Sequence, residues 1–130
     1  MLRYRFLLAG LLLASACMEP LDGQFVALHV NGTVRAPNGA PIAGATLDVR
    51  ARVPATCTGD VDQGRATSTS TGTFSRMLGN WGDPFDVCVW IAVTPPEGSE
   101  FSPDTITVNP ARLDIVVDTL TVDIVLTERP

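Results

Sequence analysis

NGTVRAPNGAPIAGATLDVRA, from Asn31 to Ala51, is the stretch whose reading decides the fold. Thr33, Val34 and Arg35 are extended-type residues, and beyond Pro41 the side chains of Leu47, Val49 and Ala51 alternate with those of Thr46, Asp48 and Arg50. A period of two belongs to a strand that buries one face. Between the runs lies Asn38-Gly39, a pair that accepts positive φ, while Pro37 and Pro41 restrict how the chain approaches and leaves it. The expectation is a hairpin: a strand, a tight turn and a second strand.

The same alternation extends outward in both directions. Upstream, Phe25 to Arg35 forms the first strand, with Val26, Leu28 and Val30 on one face and Ala27, His29 and Asn31 on the other. Downstream, Val53 to Gly64 is expected to be a loop, followed by a second hairpin from Ala66–Ser70 to Thr73–Leu78 around Thr71-Gly72, with Phe74 pointing inward. Gly79 to Pro84 reads as a longer connection carrying Trp81. In the strand from Phe85 to Thr94, Phe85, Val87, Val89, Ile91 and Val93 make the clearest core stripe, and Asp86, Cys88, Trp90 and Ala92 take the opposite face. Pro95-Pro96-Glu97-Gly98 ends it. Phe101, Ile106 and Val108 open the C-terminal part, followed by alternating runs on Leu113, Ile115 and Val117 and on Leu120, Val122, Ile124 and Leu126. No useful length shows a helical stripe, and prolines and glycines punctuate the runs. An all-β chain follows, expected as an antiparallel Greek-key β-sandwich of about seven to eight short strands, transthyretin- or immunoglobulin-like, over residues 25–130.

Gly32, Asn38-Gly39, Pro41 and Gly44-Ala45, followed by the alternating strand, resemble the opening of the carboxypeptidase regulatory-like family. Thr71-Gly72-Thr73-Phe74 keeps the glycine and the aromatic of a place that commonly reads Asp-Gly-x-Phe there. The resemblance covers about Asn31 to Leu126. It implies a small transthyretin-like β-sandwich and a non-catalytic module.

The first residues have a different character. Arg3 and Arg5 precede an apolar run from Phe6 to Leu13, then Ala14, Ser15, Ala16 and Cys17, the layout of an export signal. A spanning helix needs roughly 20 apolar residues, about twice this run. Leu13-Ala14-Ser15-Ala16-Cys17 also resembles a bacterial lipobox, which implies removal of residues 1–16 and a lipid on Cys17. The alternative is an ordinary signal cut near Ala16 that leaves Cys17 a free thiol. Met18 stands where an aspartate would resemble an inner-membrane retention signal, so the outer membrane is the expected address. Residues 17–24 form a short tether whose seven residues beyond Cys17 reach some 25 Å at about 3.3 Å each, keeping the globule close to the bilayer.

Loss of residues 1–16 leaves 7 arginines against 14 acidic residues, a formal charge of about −7. Such a balance argues against nucleic acid and against anionic lipid surfaces. The chain has no lysine, which excludes Schiff-base chemistry, a P-loop lysine and lysine–asparagine isopeptide bonds. With Cys17 taken by lipid, Cys57 and Cys88 are an even pair in an oxidising compartment, and a disulfide between them is expected.

Asp60-Val61-Asp62-Gln63-Gly64, with Asp83 and Asp86 as further oxygen donors, invites a calcium reading. It lacks the glycine position and the distal glutamate of an EF-hand, so no metal is expected. Asn31-Gly32-Thr33 matches a glycosylation sequon by accident in a chain with a bacterial lipobox. The single histidine, His29, sits in a strand without a nucleophile motif, and no paired carboxylates have a recognisable spacing. No enzyme activity and no cofactor are expected.

Trp81 and Trp90 are the candidate binding residues. Trp90 either packs under the Cys57 loop or forms part of an exposed patch. Three roles remain: a lipid-anchored accessory module that binds an envelope protein, a carbohydrate-binding module that uses the tryptophans on a polysaccharide, or a spacer without a ligand.

Overall fold

A computed structural model describes residues 24–54, 56–82, 86–112 and 117–130, with the backbone alone at 24–26, 80–82, 86, 109–112 and 117–118. Its seven strands are β1 (Gln24–Arg35), β2 (Thr46–Val53), β3 (Thr58–Thr67), β4 (Thr73–Gly82), β5 (Asp86–Thr94), β6 (Asp104–Arg112) and β7 (Val117–Val125). They form a three-stranded sheet, β4-β1-β7, and a four-stranded sheet, β3-β2-β5-β6. Among the described residues there is no helix, so the β-sandwich expectation holds. One pairing departs from the antiparallel expectation: β1 and β7 run parallel.

The interior lies between the two sheets. Leu28, Val30 and Val34 of β1, Phe74 and Leu78 of β4, and Val122 and Ile124 of β7 face Leu47, Val49 and Ala51 of β2 and Val87, Val89, Ile91 and Val93 of β5. The stripe is buried from Val87 to Val93 as its alternation requires, and Phe85 lies outside the described residues. Complete burial of a side chain such as Ile91 contributes about 1.5–3 kcal/mol relative to exposure.

Asn31 to Ala51 is not a hairpin. Its turn exists: Ala36 N–H donates to the Ala40 carbonyl at 2.8 Å, Gly39 N–H to that of Ala36 at 2.9 Å, and Arg35 bridges to Pro41. The chain then crosses the end of the core, so that β1 and β2 lie in different sheets. Val34, Ala36, Ile42, Ala45 and Leu47 are all buried, and that burial is satisfied by facing strands as well as by adjacent ones. The expected second hairpin is also a crossing, because β3 and β4 belong to different sheets.

Ser68 joins the two crossings. Its hydroxyl donates to the Ile42 carbonyl at 2.7 Å and accepts from Ala45 N–H at 2.9 Å, which satisfies a buried polar side chain. Two expected loops are strands: residues 58–64 belong to β3, which pairs with β2, and Trp81 lies in β4, in register with Phe25. The separate strand expected on Leu113 and Ile115 falls on residues 113–116, outside the described ones, and Val117 opens β7.

Candidate functional site

The outer face of the four-stranded sheet carries a cluster of charged side chains around Trp90. Alternation along β2 turns Leu47, Val49 and Ala51 inward, which leaves Asp48, Arg50 and Arg52 in a row on the outside. Register places Trp90 of β5 opposite Arg50, Cys88 opposite Arg52, and Asp60 of β3 on the other flank of Arg52. Both guanidinium groups lie over the indole, with Cζ of Arg52 4.3 Å and that of Arg50 5.4 Å from the ring centroid. Each such contact contributes about 0.5–1 kcal/mol where solvent reaches it.

Two carboxylates hold the arginines there. Asp48 accepts from Arg50 Nη2 at 2.8 Å, and Asp60 accepts from Arg50 Nη1 at 2.7 Å and Arg52 Nε at 2.9 Å. Hydrogen bonding from Arg52 is the main cause that lowers the Asp60 pKa, and hydrogen bonding to Asp48 is the main cause that raises the Arg50 pKa. Beside the cluster, a cleft of about 250 Å³ is lined by Asp48, Arg50, Gln63, Gly64 and Arg65. A second, of about 350 Å³, shares Asp48 and Arg65 and reaches Thr46, Ala92 and Thr94. The face is therefore a braced polar surface offering guanidinium, amide and hydroxyl groups.

No protein-family model matches the chain, and no curated protein matches its sequence. Solved structures do share its architecture. Chlorocatechol 1,2-dioxygenase from Pseudomonas putida is 16% identical with a TM-score of 0.55, the match covering 85% of this chain and 63% of that one. The dioxygenase domain of a dioxygenase carbohydrate-binding protein fusion from Streptomyces sp. SirexAA-E is 18% identical with a TM-score of 0.54, covering 80% and 81%. Wild-type catechol 1,2 dioxygenase from Acinetobacter radioresistens is 12% identical with a TM-score of 0.56, covering 81% and 53%. The likeness is one of fold. The chain spans less than two thirds of the length of the Pseudomonas putida enzyme it matches.

Of the residues singled out in the sequence, Cys57 and Cys88 are joined by a disulfide, with Cα atoms 5.4 Å apart. Cys17 and the signal segment lie outside the described residues, as does the side chain of Trp81. Trp90 is half-buried with arginines of β2 over its ring, and in the turn before β3 the Cys57 carbonyl lies 3.5 Å from Arg52 Nη1. The residues of the calcium reading are otherwise engaged: Asp60 binds the two arginines, and Asp62 accepts from Gly79 N–H at 2.8 Å and Gln63 N–H at 2.8 Å. Asp83 and the side chain of Asp86 lie outside the described residues. Among those described, no three His, Cys, Asp or Glu side chains gather to hold a metal. His29 Nε2 is hydrogen-bonded to Ser75 Oγ.

On the opposite sheet, Asp123 accepts from Arg35 Nη2 at 2.6 Å and Thr33 Oγ1 at 2.7 Å, and hydrogen bonding from Arg35 is the main cause that lowers its pKa. Asp60 and Asp123 thus both ionise below the ordinary 3.8. Their contribution to stability is complete above that value and is lost as acid carries the solution through their lowered folded-state values. Melting temperature should hold level from pH 7 to about 5 and fall below about pH 4. Asp60→Asn and Asp123→Asn should each reduce that fall. An unchanged acid slope in both variants would refute the assignment.

Proposed function

We propose that this chain is a non-catalytic, lipid-anchored protein of the cell envelope, whose β-sandwich is an accessory module that binds another protein. The observation that carries the reading is the disulfide between Cys57 and Cys88, because it leaves Cys17, behind the small residues of an export-type segment, as the odd cysteine. Disulfides belong to oxidising compartments, and an unpaired cysteine at such a junction is suited to carry lipid. The likeness of the Asn31–Leu126 spacing to carboxypeptidase regulatory-like domains supports the non-catalytic part of the reading. So does the single histidine, His29, which sits in a strand without a nucleophile motif.

Protein is favoured over polysaccharide as the partner. Arg50 and Arg52 lie over the Trp90 ring, on which a sugar would have to stack. The expected address is the outer membrane.

Metabolic labelling with an alkyne fatty acid tests the anchor. Wild type should be labelled and sediment with membranes, and Cys17→Ser should be unlabelled and soluble. Sedimentation of Cys17→Ser with membranes would refute lipid anchoring. Affinity capture from envelope extract tests the binding role: a specific protein should be enriched by wild type and lost with Trp90→Ala. Retention of polysaccharide instead would overturn the protein reading.

A further inference from the structure

β3 is an outer strand of its sheet: it pairs with β2 on one side, and among the described residues no strand pairs with the other. Its register with β2 runs without a shift from Asp62 to Thr67, so its free side offers a regular row of backbone donors and acceptors. Beside it runs β4, the outer strand of the facing sheet, whose Gly79 N–H is taken by the Asp62 carboxylate.

Two arginines bracket the open stretch. Arg65 is exposed on the outer face and lines both clefts. Arg76 reaches over from β4 and lies against Gly64, where an added Cβ would stand 2.0 Å from its Nε. Six arginines have described side chains, and four of them, Arg35, Arg50, Arg52 and Arg129, hold hydrogen-bond partners. Arg65 and Arg76 hold none among the described residues. In a chain with an excess of acids, the two arginines unpaired among the described residues thus flank a strand edge unpaired among them.

We propose that the free edge of β3 between Asp62 and Thr67 takes up an extended acidic peptide segment of a partner protein as an added strand. Side chains of an added strand alternate between the two faces of the sheet. Two adjacent acidic residues therefore place one carboxylate beside Arg65 and the other beside Arg76. Main-chain hydrogen bonds supply affinity and the two guanidinium groups select acid. The inference deepens the reading of a protein partner and rests on it only for the partner's place in the envelope.

The probe is a fluorescein-labelled peptide of sequence Thr-Val-Thr-Glu-Glu-Thr-Val-Thr, titrated onto the disulfide-bonded protein at low salt and followed by anisotropy. Saturable binding is expected, weakened roughly threefold by Arg65→Ala or Arg76→Ala and about tenfold by both, the scale of exposed ion pairs. N-methylation of alternate peptide nitrogens should abolish it, and the bound peptide should slow amide exchange in Gly64 to Ala66. Equal binding of the N-methylated peptide, or full competition by polygalacturonate, would show that charge alone is being read and would overturn the added strand. An envelope protein captured equally by the Arg65→Ala/Arg76→Ala variant would overturn it too while leaving the binding role intact. Peptide addition in a protein that captures nothing from the envelope would uphold the edge and refute the role.

Discussion

Gly32→Ala should be among the most damaging single substitutions in the chain, costing about 3 kcal/mol or more and lowering the melting temperature by over about 10 °C. Gly32 sits in the C-terminal third of β1, in register with Phe74 of β4 on one side and Val122 of β7 on the other. A Cβ built there stands 1.7 Å from the Val122 carbonyl oxygen and 2.7 Å from its carbon. The obstruction is main chain and cannot rotate aside as a side chain would. Relief requires β7 to move away from β1, which opens the parallel pairing and draws Val122 and Ile124 out of the core.

Gly39→Ala is the matching control. Its φ of +87° also favours glycine, but nothing lies within 4 Å of an added Cβ, so only the backbone preference is lost, about 1 kcal/mol. Urea titrations of both variants, followed by far-ultraviolet circular dichroism, separate the two effects. Equal midpoints for Gly32→Ala and Gly39→Ala would show that β1 and β7 tolerate separation.

Alternation reveals which side of a strand is buried and says nothing about which strand lies beside it. The stripe Val87, Val89, Ile91 and Val93 was therefore legible, and so was the existence of a sandwich. The partnership of the two strands around Asn38-Gly39 was not, because facing and adjacent strands bury the same residues. Residues 58–64 of β3 read as a loop for another reason. At the open corner its positions are occupied by Asp62 and Gly64, which bind Gly79 N–H and seat Arg76, so the apolar half of the pattern is missing.

The arginine cover of Trp90 lay between these cases. Arg50 and Arg52 share the parity of the outer face, as Trp90 does in its own strand, but only the register of β2 with β5 sets Arg50 opposite Trp90. The disulfide was legible from cysteine number and the expected compartment, since neither depends on register.

Removal of that disulfide should cost about 3 to 4 kcal/mol in the chain-entropy view, for a sequence separation of 31, with a fall of roughly 12 °C in melting temperature. The bond ties the turn between β2 and β3 to β5, at a point where the pairing of β5 with β6 shifts register between Val87 and Val89. Cys88 is wholly buried, so Cys57→Ala/Cys88→Ala is the appropriate double variant, keeping the site apolar.

A second effect acts in the opposite direction. Cys57 has a φ of 51°, a left-handed conformation that costs an L-residue roughly 1–2 kcal/mol, and alanine inherits that cost. Glycine does not, so Cys57→Gly/Cys88→Ala should recover about 1 kcal/mol of the loss, less whatever freedom glycine returns to the unfolded chain. Calorimetry on the oxidised protein and both double variants reads the two terms separately. Melting of the alanine pair within about 2 °C of the oxidised protein would mean that the fold is held without its sulfur bridge. An alanine pair as stable as the glycine pair would mean that the turn relaxes out of the left-handed region once the bond is gone, placing the strain in the linkage between Cys57 and β5 rather than in the strands.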